Sequence, residues 1–299
     1  MTLEKLARRH SVRKYSSRAL SDSDKARLRA AITAINTHEA GLHFTLVTDS
    51  PEAFQGFGRS YGFFSGVRNY IALVIDDSAY HFMEEKAGYY AEMLVMKCVD
   101  MGLATCFVGG TFSRKHLDVQ LRAGWKVPAV VAVGYPSDEK DGMFARLAHK
   151  VLIRKSKAPL QFYAGPEPWD NVEHKLPELL PALKAVALAP SALNKQPVVI
   201  KVVPTDCEET SNAIDSDESI RYEREFKQVE AESRRFLLSP VNSMLQPPLD
   251  FDCGYTLTAE VPDKNQLIDL GIAMWNFEQL FPGYWEWGNP ARFIPMKQD

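Results

Sequence analysis

Apolar residues recur at helical spacing over residues 21–35, where Leu28, Ala31, Ile32 and Ile35 share one face. Ser21-x-x-Asp24 in front of them is an N-cap pattern, and an amphipathic helix is predicted. Strands are predicted at residues 43–47 and 70–75. A long helix should follow over residues 80–101, with Tyr90, Leu94, Met96, Cys98 and Met101 making a broad apolar surface and Gly102 closing it. A short apolar segment at 105–108 leads to Gly109-Gly110, then a capped helix from Ser113, then a β-branched strand at 127–133. Helices alternating with strands that are not simple hairpins predict an α+β layer fold.

Residues 155–171 carry Pro159, Gly165, Pro166 and Pro168 and read as a linker. Beyond it the outline repeats: a helix at 177–188, a strand at 197–203 and a helix at 264–280, without residue-level self-match. Two units are therefore expected, 1–164 and 165–299. Residues 206–235, dense in Glu and Arg, read as a solvated insertion. Residues 281–290, with Phe281, Tyr284, Trp285 and Trp287, form an aromatic tail expected to pack on the other half.

Composition narrows the classes. A net charge of -3 with a pI near 6.2 offers no basic field for nucleic acid. No apolar run is long enough to span a bilayer, and the N-terminus lacks a signal peptide's apolar region, so neither membrane nor export is expected. The four cysteines, Cys98, Cys106, Cys207 and Cys253, show no metal-ligand or redox-pair spacing. No metal site is expected, and free thiols fit a reducing, cytoplasmic setting.

Four segments carry candidate chemistry. Arg9-His10-Ser11-Val12-Arg13 offers two guanidinium forks and a hydroxyl, suited to an anionic or carbonyl-bearing ligand. Residues 189–197 read Ala-Pro-Ser-Ala-Leu-Asn-Lys-Gln-Pro, in which Pro190 ends a helix, Pro197 opens a strand, and Ser191 and Asn194 turn the chain while presenting polar groups. Lys155-Ser156-Lys157 adds point charges. Gly109 and Gly110 permit close backbone approach.

Together these resemble the FMN-contacting motifs of the nitroreductase superfamily. The most specific match is the spacing of Pro190, Ser191, Asn194, Gln196 and Pro197. Residues 102–110, Gly-Leu-Ala-Thr-Cys-Phe-Val-Gly-Gly, resemble a further family segment, with Ala104 and Phe107 as departures; Lys157 departs from the family's usual Arg. Each motif occurs once. Residues 34–42 hold no second Pro-Ser-Asn-Gln-Pro set, and residues 173–176 no second Arg-Ser-Arg. The resemblance thus implies the tandem, single-chain branch: a pseudo-dimer of two nitroreductase-like halves keeping one FMN, acting as a monomer.

It further implies that Arg9, His10, Ser11, Arg13, Gly109, Gly110, Lys155, Lys157, Pro190, Ser191 and Asn194 hold the flavin. Hydride would pass from NAD(P)H through flavin N5 to a small-molecule acceptor such as a nitroaromatic or quinone, with no protein base required. No catalytic residue is identified, and NADH is not distinguished from NADPH. Phe64, with Tyr61 and Phe63, is a candidate lid or a packed loop. The alternatives are a flavin carrier, sensor or scaffold without turnover, and a flavin-free relic.

Overall fold

A computed structural model describes residues 1–55, 64–137, 155–205 and 253–296. The insertion at 206–235, Cys207, Tyr61 and Phe63 lie outside the described residues. The first half contributes helices α1 (Leu3–Ala7), α2 (Asp22–His38) and α3 (Met83–Asp100). Its strands are β1 (Thr45–Val47), β2 (Asn69–Ala72), β3 (Ile75–Asp76), β4 (Ala104–Val108), β5 (Trp125–Lys126) and β6 (Val130–Gly134). Then come β7 (Tyr163–Ala164), α4 (Trp169–Lys175), α5 (Leu179–Leu188), β8 (Val199–Pro204), β9 (Tyr255–Glu260), α6 (Leu267–Glu278), β10 (Gly283–Glu286) and β11 (Ala291–Pro295).

The repeat is more complete than its outline in the sequence. One half runs α2-β1-β2-α3-β4-β6 with strand order β1-β2-β6-β4; the other runs α5-β8-β9-α6-β10-β11 with order β8-β9-β11-β10. All six corresponding pairings are antiparallel. The fold is α+β, nitroreductase-like, with two similar halves in one chain. The aromatic tail, residues 281–290, supplies β10 and the turn into β11; Trp285 packs on Phe277 of its own half rather than across, while Trp287 meets Tyr89 of the other half as expected.

Helices α3 and α6 join the halves. Both are buried almost all round, and they cross where each has a glycine. A Cβ on Gly271 would collide with the carbonyl oxygen of Glu85, and one on Gly88 with that of Ile268. The crossing is backbone against backbone, which only glycine allows.

Several expectations are corrected. The linker is ordered: Phe162 is buried in a 3-10 turn (Pro159–Phe162), and β7 adds in parallel to the edge of β8. Tyr163 and Ala164, on the first side of the expected boundary at 164, therefore belong to the second sheet. The helix from Ser113 is one 3-10 turn (Arg114–His116), because Ser113 Oγ bonds His116 Nδ1 at 2.7 Å instead of capping, and Leu117 is extended. Helix α3 starts at Met83, after Phe82 takes a left-handed φ of 58°. The strand expected over 70–75 is two: β2 pairs with β6, while β3 pairs with β5.

Candidate functional site

Beyond α1 the chain runs extended along the edge of β4. Ser11 bridges Thr105 in parallel, Val12 N–H donates to Thr105 O at 2.9 Å, and Tyr15, buried, donates its hydroxyl to Val12 O at 2.8 Å. This lacing fixes the directions of the Ser11 and Arg13 side chains, with Arg9 just before them. Arg9 Nη1 donates to Ser11 Oγ and Nη2 to the Leu188 carbonyl, both at 3.3 Å, while Nε lies 3.9 Å from Glu92 Oε1. Arg13 Nη1 donates to Ser11 O at 3.3 Å. Arg9 thus ties the first half to the last residue of α5.

One residue beyond Leu188 the loop at 189–197 begins. Leu193, Asn194 and Gln196 hold left-handed φ of 53°, 52° and 48°, a conformation costing about 1 kcal/mol or more per non-glycine residue. Four hydrogen bonds offset it. Ser191 Oγ accepts from Gln196 N–H at 2.8 Å; the Gln196 amide donates to Ala187 O at 2.9 Å and accepts from Lys157 N–H at 2.7 Å. Asp269 of α6 accepts from Ala192 N–H at 3.2 Å. Burial pushes the Asp269 carboxyl up to about 6, with the Ala192 N–H and Lys195 opposing.

The structure therefore brings Arg9, with Ser11 bonded to it and Arg13 bonded to Ser11, to the residue before the 189–197 loop, and the Lys157 N–H onto Gln196 within it. Asn194 Nδ2 donates to Ser156 Oγ at 3.2 Å, so residues 155–157 seat on the loop. The Lys157 ammonium sits 5.4 Å from the Phe162 ring. Ser191 and Gln196 spend their described bonds shaping the loop, and Pro190 is buried beneath it. His10 and Lys155 are exposed. Gly109 and Gly110 are exposed at the end of β4, and among the described residues other than their chain neighbours no atom lies within 4 Å of where either Cβ would sit. Phe64 packs edge-on against Phe54, 5.9 Å between centroids.

Three residues were missed by sequence reasoning. Gln196 was noted only for its spacing. Asp269 and Glu92 stand alone in apolar helical runs, and that isolation is the signal that finds them. Among the described residues, no group of three or more potential metal ligands exists.

Over residues 1–280 the chain matches the family model described as "putative TM nitroreductase". The chain belongs to this nitroreductase family. Among solved structures, a "putative nitroreductase" from Thermotoga maritima is similar at 17% identity, covering 100% of this chain and 95% of that one, with a TM-score of 0.52. An "FMN-dependent nitroreductase" from Clostridium difficile is similar at 18% identity over 51% of this chain and 98% of its own, with a TM-score of 0.36. No curated protein matches. No helix among the described residues is long and apolar enough to cross a membrane.

The donors present fit the flavin this nitroreductase fold implies. Two guanidinium groups, a hydroxyl and the Lys157 ammonium suit a phosphate, and the open backbone at Gly109 and Gly110 suits a flat ring. The twin position in the repeat differs. There Lys86 pairs with Glu39 at 2.9 Å, Trp287 packs edge-on to Tyr89 with centroids 5.4 Å apart, and Glu85 accepts from Gly288 N–H at 3.1 Å.

Proposed function

We propose that this nitroreductase-family protein is an FMN-dependent oxidoreductase with one flavin per chain, working as a monomeric pseudo-dimer. The observation that carries the reading is the bond from Arg9, tied in turn to Ser11, to Leu188, the residue that leads into the left-handed 189–197 loop. The Lys86–Glu39 pair and the Trp287–Tyr89 contact at the twin position support a single flavin.

In this reading Arg9, Ser11 and Lys157 hold the phosphate, while Arg13, Asn194 and the backbone at Gly109 and Gly110 flank the rest. His10, Lys155, Pro190 and Ser191 form the surrounding wall. Flavin, when bound, supplies two-electron hydride chemistry from NAD(P)H to an electrophile such as a nitroaromatic or quinone. The protein's share is to bind, orient and keep one ring face open. We further place the protein in the cytoplasm, on the free thiols of Cys98, Cys106 and Cys253. We expect neither nucleic acid nor membrane as partner.

The test is the visible spectrum of the purified protein, acid release of the flavin against protein concentration, and steady-state oxidation of NADH and NADPH with a quinone. A yellow protein with about one FMN per chain that turns over is expected. A protein that neither carries nor takes up FMN refutes the reading; stoichiometric FMN without turnover would make it a carrier or sensor.

A further inference from the structure

Glu92 lies mid-way along α3 beneath Arg9, fully enclosed at 1% exposure. Its Oε1 accepts from Asn276 Nδ2 of α6 at 3.3 Å and faces Arg9 Nε at 3.9 Å. Its Oε2 is buried with no hydrogen-bond partner among the described residues. A buried carboxylate oxygen left bare is costly, and a proton is the smallest thing that relieves it.

The neighbouring polar groups are otherwise engaged. Tyr89, one turn earlier on α3, donates to Glu278 of α6 at 3.0 Å, and Asp269 holds Ala192. Cys106 on β4 is a buried thiol pushed up by burial, beside Ser11, Arg9 and Arg13. Among the described residues Arg9 is the one cation facing Glu92. With Nε on Glu92, one Nη1 hydrogen on Ser11 and one Nη2 hydrogen on Leu188, the fork keeps two N–H groups for a ligand.

Resting on the flavin reading above, we propose that Glu92 is the proton-accepting counter-ion of Arg9: it orients the guanidinium in the empty site and takes a proton from solvent onto Oε2 when a flavin phosphate docks on Arg9. The phosphate takes the two spare N–H groups, and a second anion sharing the guanidinium drives Glu92 to the neutral acid, still bonded to Asn276. Burial pushes this carboxyl up, with Arg9 and then Asn276 opposing, so an anion that shares Arg9 weakens the main force opposing protonation.

The experiment is calorimetric titration of FMN into flavin-free full-length protein, in buffers of different ionisation enthalpy, at steps between about pH 6 and pH 9. Glu92→Gln, which keeps the Asn276 bond without a titratable group, is run alongside. Phosphate's own second ionisation near pH 6 contributes equally to both proteins, so their difference reads Glu92 alone. Expected is an excess uptake approaching one proton per FMN in the parent, absent in Glu92→Gln and absent with riboflavin, which has no phosphate. FMN binding with equal uptake in parent and variant, or excess uptake with riboflavin, overturns the inference and leaves the flavin reading standing. Failure of FMN to bind the parent overturns both. Should Glu92→Gln not fold, infrared difference spectra of the parent decide: a protonated-carboxyl band must gain on adding FMN, and a flat spectrum there refutes the proposal.

Discussion

Replacing Gly271 by alanine should destabilise the protein, although alanine is the better helix former. On an exposed helix this change stabilises by about 1 kcal/mol. Here the added Cβ meets α3 head-on, with Glu85 C and Tyr89 N both 2.8 Å away. Ordinary contact begins at about 3.5 Å and the Glu85 carbonyl oxygen lies closer than either atom, so α6 has to withdraw by well over about 0.7 Å along a face where every residue from Asp269 to Glu278 is buried. Overpacking of a close-packed core costs about 1 to 3 kcal/mol, and withdrawal opens voids beside Trp275 and Met274 as well. A net loss of about 2 kcal/mol follows once the helix-propensity gain is subtracted. Gly88→Ala should act alike, since its Cβ would lie 2.9 Å from Ile268 C and against that carbonyl oxygen. The double variant should lose less than the sum, because one withdrawal relieves both collisions. Urea denaturation followed by circular dichroism measures the midpoints. A Gly271→Ala variant as stable as the parent would refute the backbone crossing.

Asp269, with its carboxyl raised to about 6, binds more protons folded than unfolded between its ordinary value and that pH, so its contribution to stability is full below about pH 4 and lost as pH rises through about 6. Asp269→Asn should match the parent at acid pH and exceed it at pH 8 by about 3 kcal/mol; melts at both pH values check this, and an unchanged difference between them counts against it. Arg13→Ala and Asn194→Ala should each weaken FMN binding by about ten- to a hundredfold with the fold intact, read by flavin fluorescence titration. Gly110→Ala, whose Cβ enters open space, should leave stability within about 0.5 kcal/mol while lowering FMN affinity if a ring lies there; an effect on stability alone would argue the reverse.

Much of this was legible in the sequence because the signals were local. Ser21 caps α2 through Asp24 N–H as its spacing predicts, and Pro190, Ser191 and Pro197 mark a turn that the structure builds. What stayed hidden depends on partners distant in the chain. Tyr163 and Ala164 look like linker because β7 has no pattern of its own and exists only by pairing with Ile200 and Lys201. The strands β10 and β11 are obscured by Pro282, Gly288 and Pro290 around an aromatic cluster. Gly88 and Gly271 each read as a mild helix weakness, and their meaning appears only when the two helices meet. Glu92 is the same kind of case, a lone acid whose partner Arg9 lies 83 residues earlier.

The pairing of α3 with α6 also shapes how the chain is made. Helix α3, apolar on nearly every side, is synthesised about 170 residues before its partner. At ordinary translation speeds that is an interval of roughly ten to thirty seconds. Throughout it, the Gly88 face waits uncovered beside a growing polypeptide. The first sheet can assemble early, but its central helix stays a sticky intermediate until the second half has left the ribosome. Slowing elongation between codons 100 and 267 should therefore increase the demand for chaperones, and supplying the second half in trans should relieve it.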